Sequence, residues 1–342
     1  MKIGVLGANG NFALKRIKAI ASGPDKIMAV CDQGFDRFEK SFPNLASVKK
    51  FTDYEELLKE DLEAVVVSVP DWLKKQIIPL AIKAGKHVLV EKPLSLTVQE
   101  TKDYFSLARK NKVCLYAGYN LRYFPEVQAL LHLIRQGHLG PIHFVRMFYG
   151  HGGIHSFLQN ENWRISSESW GGAFIDMGTH LLNLAHEFMD HFESGFLDKQ
   201  YIFSPNMEDH CTAILKNSQL TIELTASWTS WKSNFHLEVY GKEGVAEVEG
   251  LVKYAKYGQP GGFLRWGKKN PPHPFALKES LWSISQQTRA DAEIPSTFSV
   301  DVEFLDEDWQ TFSRAVQEKN FNTEAEEKMN LFVAEVMEKY YL

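Results

Sequence analysis

Cysteine is scarce in this chain: three among 342 residues, Cys31, Cys114 and Cys211, far apart in sequence. Such spacing offers neither a disulfide framework nor the paired thiols of a metal site. Two of them lie in apolar strand-like runs, Ala29-Val30-Cys31 and Val113-Cys114-Leu115, where a thiol acts as a small buried hydrophobe. A reducing, cytoplasmic compartment is expected. A basic surplus is missing too. Lysine and arginine total 38 against 43 acids, a net charge of −5, so general attraction to a nucleic-acid backbone is not expected. No apolar run approaches the ~18 residues of a membrane span. The first apolar run, residues 3–6, is too short for a secretory leader before Gly7 and Gly10. Neither a nucleic-acid nor a membrane partner is expected, and no internal repeat or low-complexity segment is present.

What the chain does have is alternation. Short runs rich in Val and Ile, at 2–6, 27–31, 64–69, 87–90 and 113–117 with a weaker one at 48–51, are separated by helical patterns at 12–21, 54–59, 73–84 and 97–110. That is the signature of repeated βαβ units around a parallel sheet covered on both faces. After Gly118 the pattern changes. A helix is expected over 124–136, a strand over 142–149 and a helix over 173–188. Strands then follow at 199–203, 211–215, 220–228, 235–240 and 245–249, joined by short turns as in an antiparallel meander. Residues 258–274, rich in Gly, Pro and Lys, read as an irregular excursion within a less regular stretch, 258–298. Segments 299–315 and 324–341 read as helices. The fold class expected is α/β. A Rossmann dinucleotide-binding domain (1–118) precedes an α+β domain (119–342) with a large, mostly antiparallel open sheet.

The first strand runs into Gly7-Ala8-Asn9-Gly10-Asn11-Phe12-Ala13. Asn9 and Phe12 replace the second and third glycines of the usual dinucleotide fingerprint. The phasing Gly7-x-x-Gly10-x-x-Ala13 meets the same needs: a tight turn, backbone approach to a diphosphate, and close helix–sheet packing. Asp32 ends the second strand, where an acid binds the adenosine ribose hydroxyls. No arginine follows it directly, which favours NAD over NADP, although Arg37 is near in sequence. The cluster Lys15, Arg16 and Lys18 reads as the outer face of the first helix.

Chemistry is suggested by Glu91-Lys92-Pro93, at the end of the apolar run His87-Val88-Leu89-Val90. Lysine there emerges at the carboxyl end of a parallel strand, where open α/β sheets bind ligands. Taking hydride from an alcohol carbon requires the hydroxyl proton to leave as well, so the site needs a base and a positive group near the oxygen. Lys92 can be the cation and His180 the base. Asp176 sits at i, i+4 from His180, on the same face of a helix. Gly171-Gly172 before that helix and Gly178 within it point to close approach of a ligand, because mid-helix glycine costs ~1 kcal/mol against alanine. His151 and His155 have helical ligand spacing, but Gly152 and Gly153 intervene, so a loop and no metal is expected. Trp228 and Trp231 could either stack on a sugar ring or be buried at an interface.

With these stretches the chain resembles the glucose–fructose oxidoreductase / inositol dehydrogenase (Gfo/Idh/MocA) family. The matching segments are Ser68-Val69-Pro70, residues 84–93, Gly118-Tyr119-Asn120-Leu121-Arg122-Tyr123, Leu139-Gly140-Pro141-Ile142, and Gly171-Gly172 through Asp176 and His180. The resemblance implies that Lys92, Asp176 and His180 are catalytic and that the Lys92-Pro93 bond is cis. It places Gly7, Asn9, Gly10, Asn11, Phe12, Asp32, Ser68, Val69, Pro70, Glu91 and Lys92 along the cofactor, and Arg122, Trp163 and Arg164 at the substrate. It also implies a homodimer or homotetramer through the second-domain sheet. One departure concerns Lys74, where many members carry histidine. The expected activity is NAD-dependent hydride transfer on a secondary hydroxyl of a sugar, nucleotide sugar or cyclitol. Alternatives on the same fold are glycoside cleavage with retained NAD, or a non-catalytic dinucleotide-binding sensor.

Overall fold

The computed structural model describes residues 1–159, 171–251, 263–269, 277–283, 288–289, 304–319, 321 and 323–342. Two units emerge. The first joins Met1–Asn120 to Leu305–Tyr340, and the second is Leu121–Phe304 with Tyr341. Among the described residues no helix is long and apolar enough to cross a membrane.

In the first unit, β1 (Lys2–Leu6), β2 (Lys26–Cys31), β3 (Lys49–Phe51), β4 (Ala64–Val67), β5 (His87–Glu91) and β6 (Leu115–Gly118) form a parallel sheet in the order β3-β2-β1-β4-β5-β6. The central runs Ala64-Val65-Val66-Val67 and Val88-Leu89-Val90 are wholly buried, which is why they read as continuous apolar runs rather than alternating ones. The crossovers carry α1 (Asn11–Ala21), α2 (Asp36–Ser41), α3 (Tyr54–Leu58), α4 (Asp71–Lys83) and α5 (Val98–Asn111). Thr97 starts α5 by accepting the Glu100 N–H, and Gly85, at φ +71°, supplies the left-handed turn after α4. The strand order reverses between β1 and β4, which opens a crevice at their carboxyl ends, beside Gly7 and Ser68.

The helices Phe304–Gln317 and Thr323–Val336 belong to this first unit, whereas the sequence reading places 119–342 in the second. Trp309 and Phe312 enter the same core as Ile3, Val5, Ile17 and Tyr116. Asp25 accepts from Trp309 Nε1 at 3.0 Å and Ser313 Oγ at 3.1 Å. Amphipathic periodicity shows that a helix has a face to bury, not which sheet it covers.

In the second unit, β7 (Ile142–Gly150), β8 (Ser194–Gln200), β9 (His210–Lys216), β10 (Thr221–Ser227), β11 (Asn234–Gly241), β12 (Gly244–Glu249), β13 (Phe263–Lys269), β14 (Leu277–Ser283) and β15 (Thr288–Arg289) lie in the order β15-β14-β13-β12-β11-β7-β10-β9-β8. Pairing is antiparallel except between β7 and β10. One face buries Val145, Met147, Ile222, Leu224, Leu237 and Val239, in the period of two that a one-sided sheet requires. Helices α6 (Pro125–Arg135), α7 (Ile154–Gln159) and α8 (Thr179–Ala185) accompany it.

Two expectations fail here. The strand expected at 199–203 lies earlier: β8 includes Lys199 and Gln200 but ends there, and Tyr201, Ile202 and Phe203 are exposed. The buried Asp209 carboxylate takes the N–H groups of Ile202, Phe203 and Ser204, satisfying that backbone without a ladder. Within the supposed excursion, β13 continues the sheet.

Candidate active site

The cradle at the first turn is shaped by main chain. Gly7 has φ +80°, and a Cβ there would stand 2.1 Å from the Ser68 carbonyl oxygen, so only glycine fits. Gly10 is the N-cap of α1. The first turn of α1 contains no acid and receives no side-chain cap from Gly10, which leaves its N–H groups and dipole suited to a diphosphate. Asp32 Oδ2 accepts the Asn9 N–H at 2.8 Å and Oδ1 that of Gln33 at 2.7 Å. Asn9 has a second task that its sequence position did not reveal. Its Oδ1 accepts from the N–H groups of Arg37 (2.9 Å) and Phe38 (3.1 Å), at the start of α2. Arg37 bonds the Asn11 side chain through its guanidinium, and Lys15 Nζ lies 5.2 Å over the Phe12 ring. Ser68 continues from β4, and Pro70 is the N-cap of α4. These residues fit a dinucleotide. Gly7→Ala is expected to weaken binding of the reduced dinucleotide about tenfold or more, as read by fluorescence titration, because the added methyl must push Ser68 out of line.

Strand β5 delivers Glu91 and Lys92, with Lys92-Pro93 cis and Lys92 half-buried. The Glu91 carboxylate is engaged by protein: Oε1 accepts from Arg16 Nε at 2.7 Å. Arg16 is 0% exposed, contrary to the expected outer-face position, and its other arm pairs with buried Asp308. Burial pulls the guanidinium pKa down, but Asp308 and Glu91 outweigh it and hold it above the ordinary value. Gly118 makes room for this arginine, since a Cβ there would lie 2.4 Å from Arg16 Nη2. Lys74, on α4, reaches the same turn from another side.

In the second unit Asp176 lies in a π-helical turn, Phe174–Gly178, that runs into α8, which carries His180. Closing over five residues keeps a spacing of four within a single turn, and such turns recur at functional sites. Asp176 Oδ2 accepts from Trp228 Nε1 at 3.1 Å, and His151 Nε2 stands 3.9 Å away from the same oxygen. His151 Nδ1 accepts the Gly153 N–H at 2.9 Å, which leaves Nε2 as the protonated nitrogen of a neutral ring. His180 is buried, edge-on to the Tyr149 ring at 6.2 Å. His155 stacks on Trp231 at 4.3 Å rather than joining His151. Trp228 is fully buried while Trp231 is 82% exposed. Arg122 lies over the Tyr123 ring. Trp163 and Arg164 fall outside the described residues.

The glycines around Asp176 serve protein packing. Cβ atoms at Gly171, Gly172 and Gly178 would meet Tyr341 Oη, the Glu208 carbonyl oxygen and the Phe174 ring at 2.0, 1.9 and 2.4 Å. The buried Glu208 carboxylate accepts from the N–H groups of Gly172 and Phe174 and from Tyr341 Oη at 2.7 Å. Burial lifts its pKa, against the lowering by Tyr341 and those N–H groups. A carboxyl with a raised folded-state pKa contributes stability that is present below its unfolded value of ~4.3 and is lost as pH rises through the folded one. Glu208→Gln cannot ionise. The wild type should therefore lose melting temperature relative to it, by a few degrees, as pH rises above about 4 in paired thermal melts.

Residues 1–119 match the family model described as "Oxidoreductase family, NAD-binding Rossmann fold", and residues 127–247 match "GFO/IDH/MocA C-terminal domain". The chain is 28% identical over 315 residues to the uncharacterized oxidoreductase YrbE of Bacillus subtilis, covering 86% of each. It is 32% identical over 179 residues to a 1,5-anhydro-D-fructose reductase of Ensifer adhaerens, covering 52% of this chain and 53% of that one. For two other curated relatives the match spans under two-fifths of their length (37% and 38%). Among solved structures it resembles KijD10, a 3-ketoreductase of Actinomadura kijaniata in complex with NADP and TDP-benzene (TM-score 0.77, 20% identity, 99% and 96% of the two chains). It also resembles a levoglucosan dehydrogenase in complex with NADH and levoglucosan (0.75, 15%, 99% and 95%).

Proposed function

The chain belongs to the GFO/IDH/MocA family of NAD(P)-binding oxidoreductases, and from that premise we propose that it transfers hydride between the nicotinamide and a secondary hydroxyl of a sugar, nucleotide sugar or cyclitol. The observation that carries the reading is the placement of Lys92. It leaves β5 at the carboxyl edge of the parallel sheet, the edge that also presents Gly7, Asp32 and Ser68. The bound nicotinamide supplies the hydride acceptor or donor. Lys92 stabilises negative charge on the reacting oxygen. His180 takes or returns the hydroxyl proton, and Asp176, held by Trp228, orients the imidazole or a substrate hydroxyl. Arg122, Trp163 and Arg164 border the sugar. That Lys92 and His180 act on one carbon is part of the proposal, supported by the family's shared motifs.

NAD is the proposed cofactor in preference to NADP. Support comes from Asp32 directly after β2, where an acid of this fold binds the ribose hydroxyls, because a carboxylate there would repel a 2′-phosphate. Sugar chemistry is supported by the relatives named as acting on anhydrofructose and levoglucosan. A homodimer or homotetramer through the open face of the second-unit sheet is proposed as well. That face carries the half-buried rings of Phe144 and Tyr240 beside Arg146, which pairs with Glu223 and Glu238. The test is a screen of sugars, nucleotide sugars and cyclitols with NAD and NADP, followed at the reduced-nicotinamide absorbance band. NAD-linked turnover on at least one is expected, and cofactor binding with no turnover on any would count for the sensor reading instead.

A further inference from the structure

Lys74 is a buried lysine that the proposed chemistry does not use. It is 1% exposed. Its Nζ donates to the main-chain carbonyls of Glu91 at 2.7 Å, Lys92 at 3.0 Å and Pro93 at 3.0 Å, and pairs with Asp71 Oδ1 at 2.6 Å. A buried ammonium is expensive unless it is paired and hydrogen-bonded, and here it is both. Its three protons face three successive carbonyls and one carboxylate. Rotating any of those peptide planes would break a charge-assisted bond made by a buried ammonium. The direction in which the middle residue projects is thereby defined.

We propose that Lys74 is the positioning residue for Lys92. One cation on α4 grips the backbone on both sides of residue 92 and aims its side chain, while taking no part in the reaction. The proposal rests on the reading of Lys92 as the group that stabilises the reacting oxygen. It also gives Lys74 a role distinct from cofactor contact, because its protons are directed at main-chain oxygens and Asp71.

The test compares full-length wild type, Lys74→Met and Asp25→Ala. The last is a control that loses the contacts of Asp25 with Trp309 and Ser313 at the amino end of the sheet. Lysines are labelled by reductive ¹³C-methylation, and the Lys92 signal is identified by its absence in Lys92→Arg. In wild type and in Asp25→Ala, NAD is expected to shift that signal. In Lys74→Met the signal is expected to sit at the position of an exposed lysine and to ignore NAD. Turnover on the sugar found by the screen should fall about 10- to 100-fold, with NAD affinity changed less than about threefold. A Lys92 signal and turnover unchanged in Lys74→Met would overturn the proposal. So would equal losses in Asp25→Ala at a matched melting temperature. If Lys74→Met does not fold, Asp71→Asn/Lys74→Met, which also removes the stranded acid, faces the same criteria. Full turnover in Lys92→Met would sink the functional reading instead, and the Lys92 signal without cofactor would still decide whether Lys74 positions it.

Discussion

Lys92→Met is expected to lower turnover by about 10²- to 10⁴-fold while NADH affinity changes less than about threefold. Methionine keeps much of the length and volume of lysine, so the turn between β5 and Pro93 should survive, with Lys74 still holding its carbonyls. What disappears is the positive charge. In the proposed reaction an alcohol losing hydride must shed its proton, and without the lysine charge the negative charge developing on the oxygen goes uncompensated. His180→Ala should show the same pattern if His180 is the proton acceptor proposed here, since it leaves the cradle of Gly7, Gly10 and Asp32 intact. Steady-state kinetics and fluorescence titration of NADH separate the two effects. Loss of NADH affinity equal to the loss of turnover would show that Lys92 holds the cofactor rather than serving the reaction.

Much of the first unit was legible because its signals are local. Strands buried on both faces must be apolar throughout, and Gly7 must be glycine whatever surrounds it, so β1, β2, β4 and β5 lie within a residue or two of the runs that announced them. The motif around Lys92 was equally visible. What escaped was every interaction whose partner is remote in sequence. Arg16 was assigned to the surface by its chemistry. Yet Ala13, Arg16, Ile17 and Ile20 form one helical stripe, and a cation within an apolar stripe signals a buried ion pair. Lys74 repeats the pattern with Ile77, Ile78 and Ala81. Periodicity could have flagged both, but not Asp308 or the three carbonyls they meet. The glycines at 171, 172 and 178 misled in the opposite sense. Their need for space was read correctly, but Tyr341, Glu208 and Phe174 occupy it rather than a ligand.

Arg16→Met is expected to destabilise the first unit by about 3–5 kcal/mol, the usual result of stranding a buried charge by removing its partner. Two carboxylates would be stranded here. Asp308 is fully buried and Glu91 nearly so, and both depend on the same guanidinium. Because the network is buried, added salt should not narrow the gap as it would for a surface pair. Replacing Asp308 by Asn in the same molecule should recover part of the loss, since an amide needs hydrogen bonds but no counter-charge. Amide exchange over Val88, Leu89 and Val90 measures the effect within the unit, free of any separate unfolding of the second one. A change below about 1 kcal/mol would mean that water reaches the pair. The consequence extends to function, because Arg16 ties the helix Phe304–Gln317, which bears Asp308, to the last residue of β5. Loosening that helix should therefore also weaken the hold on Glu91, the neighbour of the residue on which the proposed chemistry depends.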